Sequence, residues 1–328
     1  MESFKKEQLN HMPTSSINFL EGLPDVVFYA VMERLPARVI ENTVRQLSKN
    51  CYRRVELRRE RLPRVYIDEL CVHENMLRFI HGGRNEYSEK IDPAKLIQHL
   101  AYLNERVTFH TLHLQDVNWD MFANCKFECE ELSCFVIETT LSPERFMDVF
   151  RSVRPTRNLY IAAHGDNKIF PVTSDFFTNN YAIELKLVRL WGYGNAMVDP
   201  LNDTILLDST PLVLSGHFRT SSGCTLNGIL TMIRDWYTSE RQIDAIDLRS
   251  VGGEAERQNF FYNLSGLQAV KRLLFKGSIY SMIALERANG NIIGFSVRSD
   301  GKGHIDISML RLVPGPEADL YGLHNDVF

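Results

Sequence analysis

The sequence contains no apolar run that approaches the roughly 20 residues needed to span a bilayer. Its first eight residues are mostly polar, so this end lacks the apolar stretch of a secretory signal peptide. We therefore expect an intracellular protein, located in the cytoplasm, the nucleus or both, with no membrane partner.

Cysteine and net charge are both scarce. Six cysteines in 328 residues are too few and too scattered for a disulfide framework. A net charge of -4 gives no overall attraction to nucleic acid or to an anionic membrane. The 44% hydrophobic and 24% charged content is that of an ordinary globular protein, and the length favours two modules over one.

The common catalytic motifs are also missing. No nucleophile elbow, no H-E-x-x-H and no phosphate-binding glycine loop occurs. Gly192-Tyr193-Gly194 lacks the third glycine of a dinucleotide loop, so we interpret it as a turn. No two carboxylates stand in an evident acid/base relation. We predict a protein without enzymatic activity and without a cofactor.

Cys125, Cys129 and Cys134 lie close enough together in the chain to suggest a zinc site. A fourth ligand at matching spacing is missing, and Cys134 belongs to a predicted strand that would turn it towards a core. We therefore predict buried free thiols and no metal site. His113 and His217 lie in or just after predicted strands, and we interpret both as structural residues.

A basic run carries the strongest local charge, and it consists of Arg53, Arg54, Arg58, Arg59, Arg61 and Arg64. Glu56 and Glu60 interrupt it at spacings that allow pairing along a helix. We interpret the run as a solvated helix between two modules and expect no nucleic-acid partner. A nuclear-import or nucleic-acid patch is the alternative.

The first part of the chain predicts a helical module. Residues 1–19 show no periodicity and predict a disordered leader, and residues 20–64 form the module. Pro24 suits the first position of a helix along which Val27, Val31 and Leu35 recur every four residues. Pro36 interrupts that helix, and a second helical pattern follows up to Cys51.

From residue 65 to 313, strand-like runs alternate with helical runs. The strand landmarks are Leu112, Cys134, Leu159, Leu187, Val213, Ile246 and Leu273, at spacings of 22, 25, 28, 26, 33 and 27 residues. These spacings are close to the period of leucine-rich repeats. Ser142-Pro143 and Asp92-Pro93 are typical helix starts, and Thr225 to Trp236 carries an apolar helical stripe.

The last part of this region predicts hairpins rather than repeats. Polar turns at Asn289-Gly290 and Gly301-Lys302-Gly303 separate short apolar runs. We predict an α/β fold in which a leucine-rich-repeat-like solenoid follows the helical module and ends in a small antiparallel cap. Residues 314–328 predict a loose tail.

The segment Leu23-Pro24 to Leu35-Pro36 resembles the first half of an F-box, in which Leu-Pro opens an apolar helix and a second Leu stands twelve residues on. The second half resembles the family's Val-Cys-x-x-Trp ending only loosely, because Ser48 stands where Cys is frequent and Cys51 or Tyr52 stands where Trp is. This resemblance covers about a tenth of the chain.

The whole layout is similar to the nematode F-box proteins that carry an F-box-associated C-terminal domain. Leu226 to Trp236, followed by Ile243 to Ile246, resembles that domain's helix-then-strand signature, and Arg287-Ala288-Asn289-Gly290 resembles its terminal hairpin. The resemblance implies a substrate-recognition adaptor of a Skp–cullin–F-box ubiquitin ligase. Its partners would be the Skp adaptor and a target protein whose identity the sequence does not give.

Apolar surface supports the same expectation. The helix from Pro24 to Leu35 is apolar around most of its circumference, and a small module cannot hide all of that surface by itself. We predict that the Skp adaptor is bound by Leu23, Pro24, Val27, Met32, Leu35, Pro36 and Ile40. We predict that the target is bound by Lys186, Arg189, Asp244, Asp247, Arg249, Lys271 and Arg272.

Two other functions remain open. The first is a leucine-rich-repeat-like interaction protein with no ubiquitin-ligase link, whose first helices only cap the solenoid. The second is an enzyme on an α/β scaffold, which would need a deep pocket with converging titratable groups.

Overall fold

The computed structural model of the chain describes residues 19–74, 76–81, 84–123, 126–164, 170–179, 181–182, 184–193, 200–208, 213–218, 223–265, 270–273 and 282–312. The predicted leader, apart from Phe19, and the predicted tail at 314–328 lie outside these residues. Two compact units are present. The helical unit contains the described residues up to Ile67 together with Gln98–Thr108. The sheet unit contains Asp68–Ile97 and the described residues from Phe109 on.

The helical unit begins with three helical segments. The first segment is α1 (Asp25–Met32). The second runs without a break through α2 (Ala37–Val39), a π-helical turn (Ile40–Val44) and α3 (Arg45–Leu47). The third is α4 (Lys49–Leu57), which is followed by a 3-10 turn (Arg59–Arg61). Pro24 and Pro36 have extended backbone and lie directly before a helix. At this position the N–H of a residue forms no hydrogen bond within the helix, so proline, which lacks an N–H, is tolerated there. Ser48 is also extended, and its Oγ accepts the N–H of Cys51 at 3.1 Å. Ser48 therefore divides the second predicted helix, which we had expected to continue up to Cys51.

The core of the helical unit is small and apolar. It contains Phe28, Tyr29, Met32, Ile40, Val44, Cys51, Val55 and Leu62, with Leu20, Leu23, Val31 and Leu35 packed at its margin. The rings of Phe28 and Tyr29 meet edge to face with centroids 5.4 Å apart. Each helical segment contributes one face to this core and leaves its other face outside.

Among the residues that the structure describes, one sheet of thirteen strands forms the framework of the sheet unit. The strands are β1 (Val65–His73), β2 (Met76–His81), β3 (Arg84–Lys90), β4 (Val107–Gln115), β5 (Cys129–Val136), β6 (Pro155–Ala163), β7 (Leu187–Gly192), β8 (Val213–Phe218), β9 (Ala245–Val251), β10 (Val270–Leu273), β11 (Met282–Glu286), β12 (Ile292–Ser299) and β13 (His304–Leu312). Their spatial order is β10-β11-β12-β13-β9-β8-β7-β6-β5-β4-β1-β2-β3. The predicted α/β class is confirmed, whereas the hairpin strands β1 to β3 were not predicted.

Strands β4 to β9 run parallel in chain order, and helices connect them. The remaining helices are α5 (Pro93–Arg106), α6 (Trp119–Phe122), α7 (Pro143–Val153), α8 (Ser174–Thr178), α9 (Asp203–Asp208), α10 (Leu226–Thr238) and α11 (Glu254–Ser265). From α6 to α11 each helix contacts the next, and Phe150 and Phe176 join α7 to α8 with ring centroids 5.1 Å apart. These six helices therefore lie on one face of the sheet, and none of them lies on the other face.

Side chains alternate between the two faces of the strands, as the pleat requires. Along the helix-covered side, one row in register contains Leu112, Leu132, Leu159, Val188, Leu214 and Ile246, all of them buried. The landmarks Leu187 and Val213 lie in strands β7 and β8, as predicted, but each is one residue away from this buried row. A shift of one residue moves a side chain to the opposite face, so these two side chains lie on the helix-free side.

The end of the sheet is antiparallel, with β13 paired to β9 and then β12, β11 and β10 in turn. The antiparallel C-terminal strands are thus confirmed. Leu273 as a seventh repeat landmark was wrong, because β13 takes the place beside β9 and β10 lies at the far edge. Gly290, Gly301 and Gly303 adopt positive φ in the two tight turns, a conformation that costs glycine little. Among the described residues, no helix is both long and apolar enough to cross a membrane.

Candidate protein-binding surfaces

Helix α1 divides its apolar side chains between two opposite faces. Phe28 and Met32 are fully buried, whereas Val26 is 82% exposed and Val27 is 45% exposed. Ala30 is also exposed. With 3.6 residues per turn, positions 26, 27 and 30 fall within one arc that points away from the core. We call Val26, Val27 and Ala30 the α1 face.

The residues predicted to bind the Skp adaptor do not all lie on the surface. Pro24, Val27 and Pro36 are exposed. Leu23 and Leu35 are half-buried at the margin of the core. Met32 and Ile40 have no exposed surface, because their side chains fill the core of the helical unit itself. Met32 and Ile40 therefore support this surface from behind and are not part of it.

Arg54 holds the segment before α1 against α4. Its guanidinium donates to the carbonyl oxygens of Leu20 and Leu23 at 3.1 and 2.9 Å and pairs with the Asp25 carboxylate at 2.9 Å. The same group stacks 3.9 Å from the centre of the Phe28 ring. The Tyr29 hydroxyl donates to the carbonyl of Arg54 at 2.8 Å. This one buried side chain thus fixes the position from which α1 begins.

The interpretation of the basic run as a solvated helix was wrong. The helix ends at Leu57, and Arg54 and Arg59 are buried, with 9% and 3% of their surface exposed. Arg59 pairs with Glu41 at 3.0 Å, and Glu56 pairs with Arg45 rather than with a neighbour in the run. Buried arginines need partners of this kind, so these two charges stabilise the helical unit and are not exposed for nucleic acid.

The helix-free face of the sheet carries a row of mostly polar side chains. In register across the strands, this row contains His113, Ser133, Tyr160, Arg189, Ser215, Asp247 and Ser308. The Arg189 guanidinium lies 5.3 Å from the centre of the Tyr160 ring. Side chains two residues further along each strand share this face and include Phe135, Trp191 and Arg249. We call this set the helix-free face.

Three of the residues predicted to bind a target lie on the helix-free face, namely Arg189, Asp247 and Arg249. Two of these already have partners on β13. Asp247 accepts the Ser308 hydroxyl at 2.9 Å, and Arg249 donates to both carboxylate oxygens of Asp306 at 2.7 and 3.1 Å. The bond to Asp306 raises the pKa of Arg249. A target that engages these groups must therefore compete with contacts inside the sheet.

The other predicted target residues lie directly before two of the parallel strands and in an edge strand. Lys186 is exposed immediately before β7, and Asp244 immediately before β9, where its carboxylate pairs with Arg311 at 3.1 Å. The backbones of Lys271 and Arg272 lie in edge strand β10, and their side chains are outside the described part of the structure. The structure therefore does not bring all seven residues together on one surface.

The predictions about cysteine can be compared with the structure at two of three positions. Cys129 and Cys134 are buried free thiols, as predicted. Burial, with a smaller contribution from Glu131, raises the pKa of Cys129 to about 12. Cys125 lies outside the described residues, as do the side chain of His217 and the residue Gly194.

His113 lies in β4, within a strand as predicted, and its side chain has a partner on β1. Its Nε2 lies 3.3 Å from Glu69 Oε1, and the same oxygen accepts the Cys71 thiol at 2.8 Å. Burial lowers the pKa of His113. Burial and then the hydrogen bond to Glu69 raise the pKa of Cys71 to about 12. Sequence reasoning missed this cluster because Glu69 and Cys71 lie on β1, a strand that it did not predict.

The end of α10 and the turn after β11 contact each other. The Arg287 guanidinium lies 4.4 Å from the centre of the Trp236 ring and donates to the carbonyl of Ser239. Burial lowers the pKa of Arg287, and Glu240 partly offsets this effect. The turn after β11 is therefore anchored on the end of α10 by one buried arginine.

Gly228 lies where α10 approaches α9. A Cβ atom at this position would lie 2.0 Å from the Asp203 carboxylate, which accepts both the backbone N–H and the hydroxyl of Thr225 at 2.7 Å. Thr225 in turn caps α10 by accepting the Gly228 N–H. A larger residue at position 228 would displace the Asp203 carboxylate, so glycine is favoured here by the lack of space for a side chain and not by its backbone conformation.

No family model, curated protein or solved structure matches the chain in the three comparisons made with known proteins.

Proposed function

We propose that the chain is a protein-recognition adaptor with no catalytic step of its own. More particularly, it is a substrate-recognition adaptor of a Skp–cullin–F-box ubiquitin ligase. In this proposal the helical unit is an F-box that binds the Skp adaptor. The sheet unit is a leucine-rich-repeat-like solenoid of the F-box-associated type and binds the target. Ubiquitin transfer then belongs to other subunits, and the adaptor contributes proximity.

The observation that carries the proposal is the α1 face. Val26 and Val27 are largely exposed, although the helix that carries them also builds the unit's core. Burying one valine side chain contributes roughly 1.5–3 kcal/mol. Exposed valines beside a motif of this kind support an interface with another polypeptide. Pro24, directly before α1, and Pro36, four residues after its end, are also exposed.

The adaptor interaction can be tested by co-expressing the full chain with a Skp adaptor and measuring the complex by size-exclusion chromatography. The double variant Val26→Asp/Val27→Asp should lose the complex, because it places two charges in a surface that becomes buried. We expect affinity to fall by roughly a hundredfold or more, which corresponds to at least about 2.7 kcal/mol. Neither side chain belongs to the core, so the variant should remain folded.

The matched control is Tyr262→Asp, since Tyr262 is 76% exposed but lies on α11 in the sheet unit. This variant should bind the adaptor as the unchanged chain does. Undiminished binding by the Val26→Asp/Val27→Asp variant would contradict the proposed interface. Absence of any complex with the unchanged chain would contradict the proposed ligase function itself.

The helix-free face supports target binding in this proposal. Its side chains vary from strand to strand and include Tyr160, Arg189 and Trp191, which are types enriched at protein interfaces. Adjacent parallel strands present these side chains on a regular spacing, as repeat proteins do on their binding faces. Affinity purification with and without proteasome inhibition should enrich the target when degradation is blocked.

A second function has one observation in its favour. Six parallel strands in chain order with helices on one face would suit a repeat-type interaction protein whether or not a ligase is involved. Ser48 and Tyr52 also depart from the F-box ending, and Ser48 caps α4. This alternative predicts target capture by the sheet unit but no stable complex with the Skp adaptor.

A further inference from the structure

Three metal-ligating side chains meet on the helix-free face where β1 and β4 lie side by side. One donor atom from each of Glu69, Cys71 and His113 lies within 4.8 Å of the other two. The Cys71 Sγ is 2.8 Å from Glu69 Oε1, and His113 Nε2 is 3.3 Å from the same oxygen. All three side chains are partly buried. His113 belongs to the helix-free face, but none of the three is among the residues predicted to bind the Skp adaptor or the target.

The backbone holds these donors on a regular framework. Glu69 and Cys71 are two residues apart on one strand, so their side chains lie on the same face. Antiparallel pairing with β2 places Glu69 opposite Ile80 and Cys71 opposite Arg78. Strand β4 is the neighbour of β1 on its other side and carries His113. Donors fixed on paired strands need little reorganisation to bind an ion.

The donor set and its spacing fit zinc. Thiolate, imidazole and carboxylate are the ligands that zinc takes in proteins, at about 2.0–2.3 Å. Tetrahedral geometry at those lengths places neighbouring ligand atoms roughly 3.3–3.8 Å apart. The nitrogen to oxygen distance of 3.3 Å already meets this requirement. The Cys71 Sγ to Glu69 Oε1 distance of 2.8 Å is shorter because the thiol donates a hydrogen bond to the carboxylate. When the thiol loses its proton this hydrogen bond is lost, and the two atoms can move apart.

The cluster is also accessible. It lines a cleft of about 320 Å³ whose other walls include His73, Met76, Arg78 and Phe135. An ion held by three side chains would therefore keep a fourth position towards this cleft. Three protein ligands and one open position are typical of zinc sites that bind water or another ligand.

We propose that Glu69, Cys71 and His113 form a binding site for a zinc-type divalent cation with one coordination position open to the cleft. On binding, the Cys71 thiol loses its proton to solvent and its sulfur bonds to the ion, while neutral His113 and the Glu69 carboxylate complete the protein ligands. The ion would join β1 to β4 on the helix-free face. This proposal does not depend on adaptor binding.

Cobalt provides the direct test, because it replaces zinc and reports its ligands by absorption. The full chain is freed of metal by dialysis against a chelator and titrated with cobalt(II). We expect about one equivalent to produce a thiolate-to-cobalt charge-transfer band, and zinc to displace it. Cys71→Ser should remove the band. His113→Gln should weaken zinc binding by more than the roughly 10–100-fold that loss of an outer-shell partner costs.

Cys129→Ser is the control, because Cys129 is a buried thiol outside the cluster, and it should leave the band unchanged. Circular dichroism of each metal-free variant shows whether it is folded. Zinc should also raise the melting temperature of the unchanged chain but not of Cys71→Ser. A folded chain that gives no thiolate band, or a band that persists in Cys71→Ser, would overturn the proposal.

Discussion

The α1 face and the helix-free face of the sheet differ in how their side chains are already engaged. On the α1 face, Val26 and Val27 contribute nothing to the core of the unit that carries them. On the helix-free face, Arg249 and Asp247 are held by Asp306 and Ser308. A partner could therefore bind the α1 face without breaking any contact within the protein. A partner that binds Arg249 or Asp247 on the helix-free face would first have to break their bonds to β13. Substitution of a residue that supports a surface should therefore lower the stability of the fold, whereas substitution of a residue that only forms the surface should change stability little.

The largest effect should come from Arg54→Ala, which removes the support behind the α1 face. It leaves the carbonyl oxygens of Leu20 and Leu23 without their donor and removes the stacking on Phe28. We expect a loss of about 3 kcal/mol in local stability. Hydrogen exchange should show faster exchange over residues 25–57 and unchanged exchange over the parallel strands.

Arg53→Ala is the matched control for this experiment, because Arg53 is the preceding residue of α4 and is exposed. It should change stability by less than about 0.5 kcal/mol. Equal effects of the two substitutions would show that Arg54 does not hold α1 in place.

A slightly smaller effect should follow Asp116→Ala at the end of β4. Its Oδ1 accepts the backbone N–H groups of Ile137, Glu138 and Thr139 at 2.8, 2.9 and 3.1 Å. Burial acts to raise the pKa of Asp116, but these hydrogen bonds outweigh it and lower the pKa below its ordinary value. Removing the carboxylate should cost about 2–3 kcal/mol at neutral pH.

The pH dependence of this effect has a defined sign. A depressed folded-state pKa stabilises the fold above the unfolded value of about 3.9, and that stability is lost as pH falls through the folded value. Urea unfolding of the unchanged chain and of Asp116→Ala should therefore differ most near pH 7 and converge in acid. A gap that stays constant down to pH 2 would contradict this role for Asp116.

Gly228→Ala tests the helix-covered side of the sheet and should cost roughly 1–3 kcal/mol. The new methyl group would meet the Asp203 carboxylate and displace it from its hydrogen bonds with Thr225. Asn227→Ala, at the exposed neighbouring position, should be neutral or slightly stabilising because alanine favours helix. Thermal unfolding of both variants measures the difference. A neutral Gly228→Ala would show that α9 and α10 are not closely packed there.

The smallest effect should be found on the helix-free face itself. A double-mutant cycle of Arg249→Ala and Asp306→Ala should give a coupling energy of about 1 kcal/mol or less, since both groups remain partly accessible to solvent. If this pair instead contributed several kcal/mol, the helix-free face would be a structural element and a poorer candidate for target binding.

Sequence patterns predicted the parallel strands and three of the helices that precede them, α5, α7 and α10, whereas α6, α8 and α9 were not predicted. Ser142 caps α7, as predicted, and Thr225, the first residue of the predicted apolar stripe, caps α10. The face on which each strand landmark lies could not be predicted, because a short apolar run such as the one around Leu187 and Val188 does not show which residue points to the core. The place of β13 beside β9 was beyond prediction, because that pairing joins strands distant in the chain.

The candidate surfaces were predictable only in part, for the same physical reason. The apolar character of α1 is visible in the sequence, but which of Val27 and Met32 is exposed depends on how the helices of the unit pack. The basic run was misinterpreted because Arg54 and Arg59 find distant partners, and local spacing suggested near ones. Asp306 and Tyr160 became candidates only when their strands were placed side by side.

Hydrogen exchange of the full chain, measured alone and in the presence of a purified Skp adaptor, tests the central claim most directly. We predict that protection increases in peptides that contain α1 and the turn up to Pro36, while peptides from β5 to β9 are unchanged. Protection confined to the sheet, or none anywhere at saturating adaptor, would contradict the claim that the exposed valines of α1 are a docking surface for that protein.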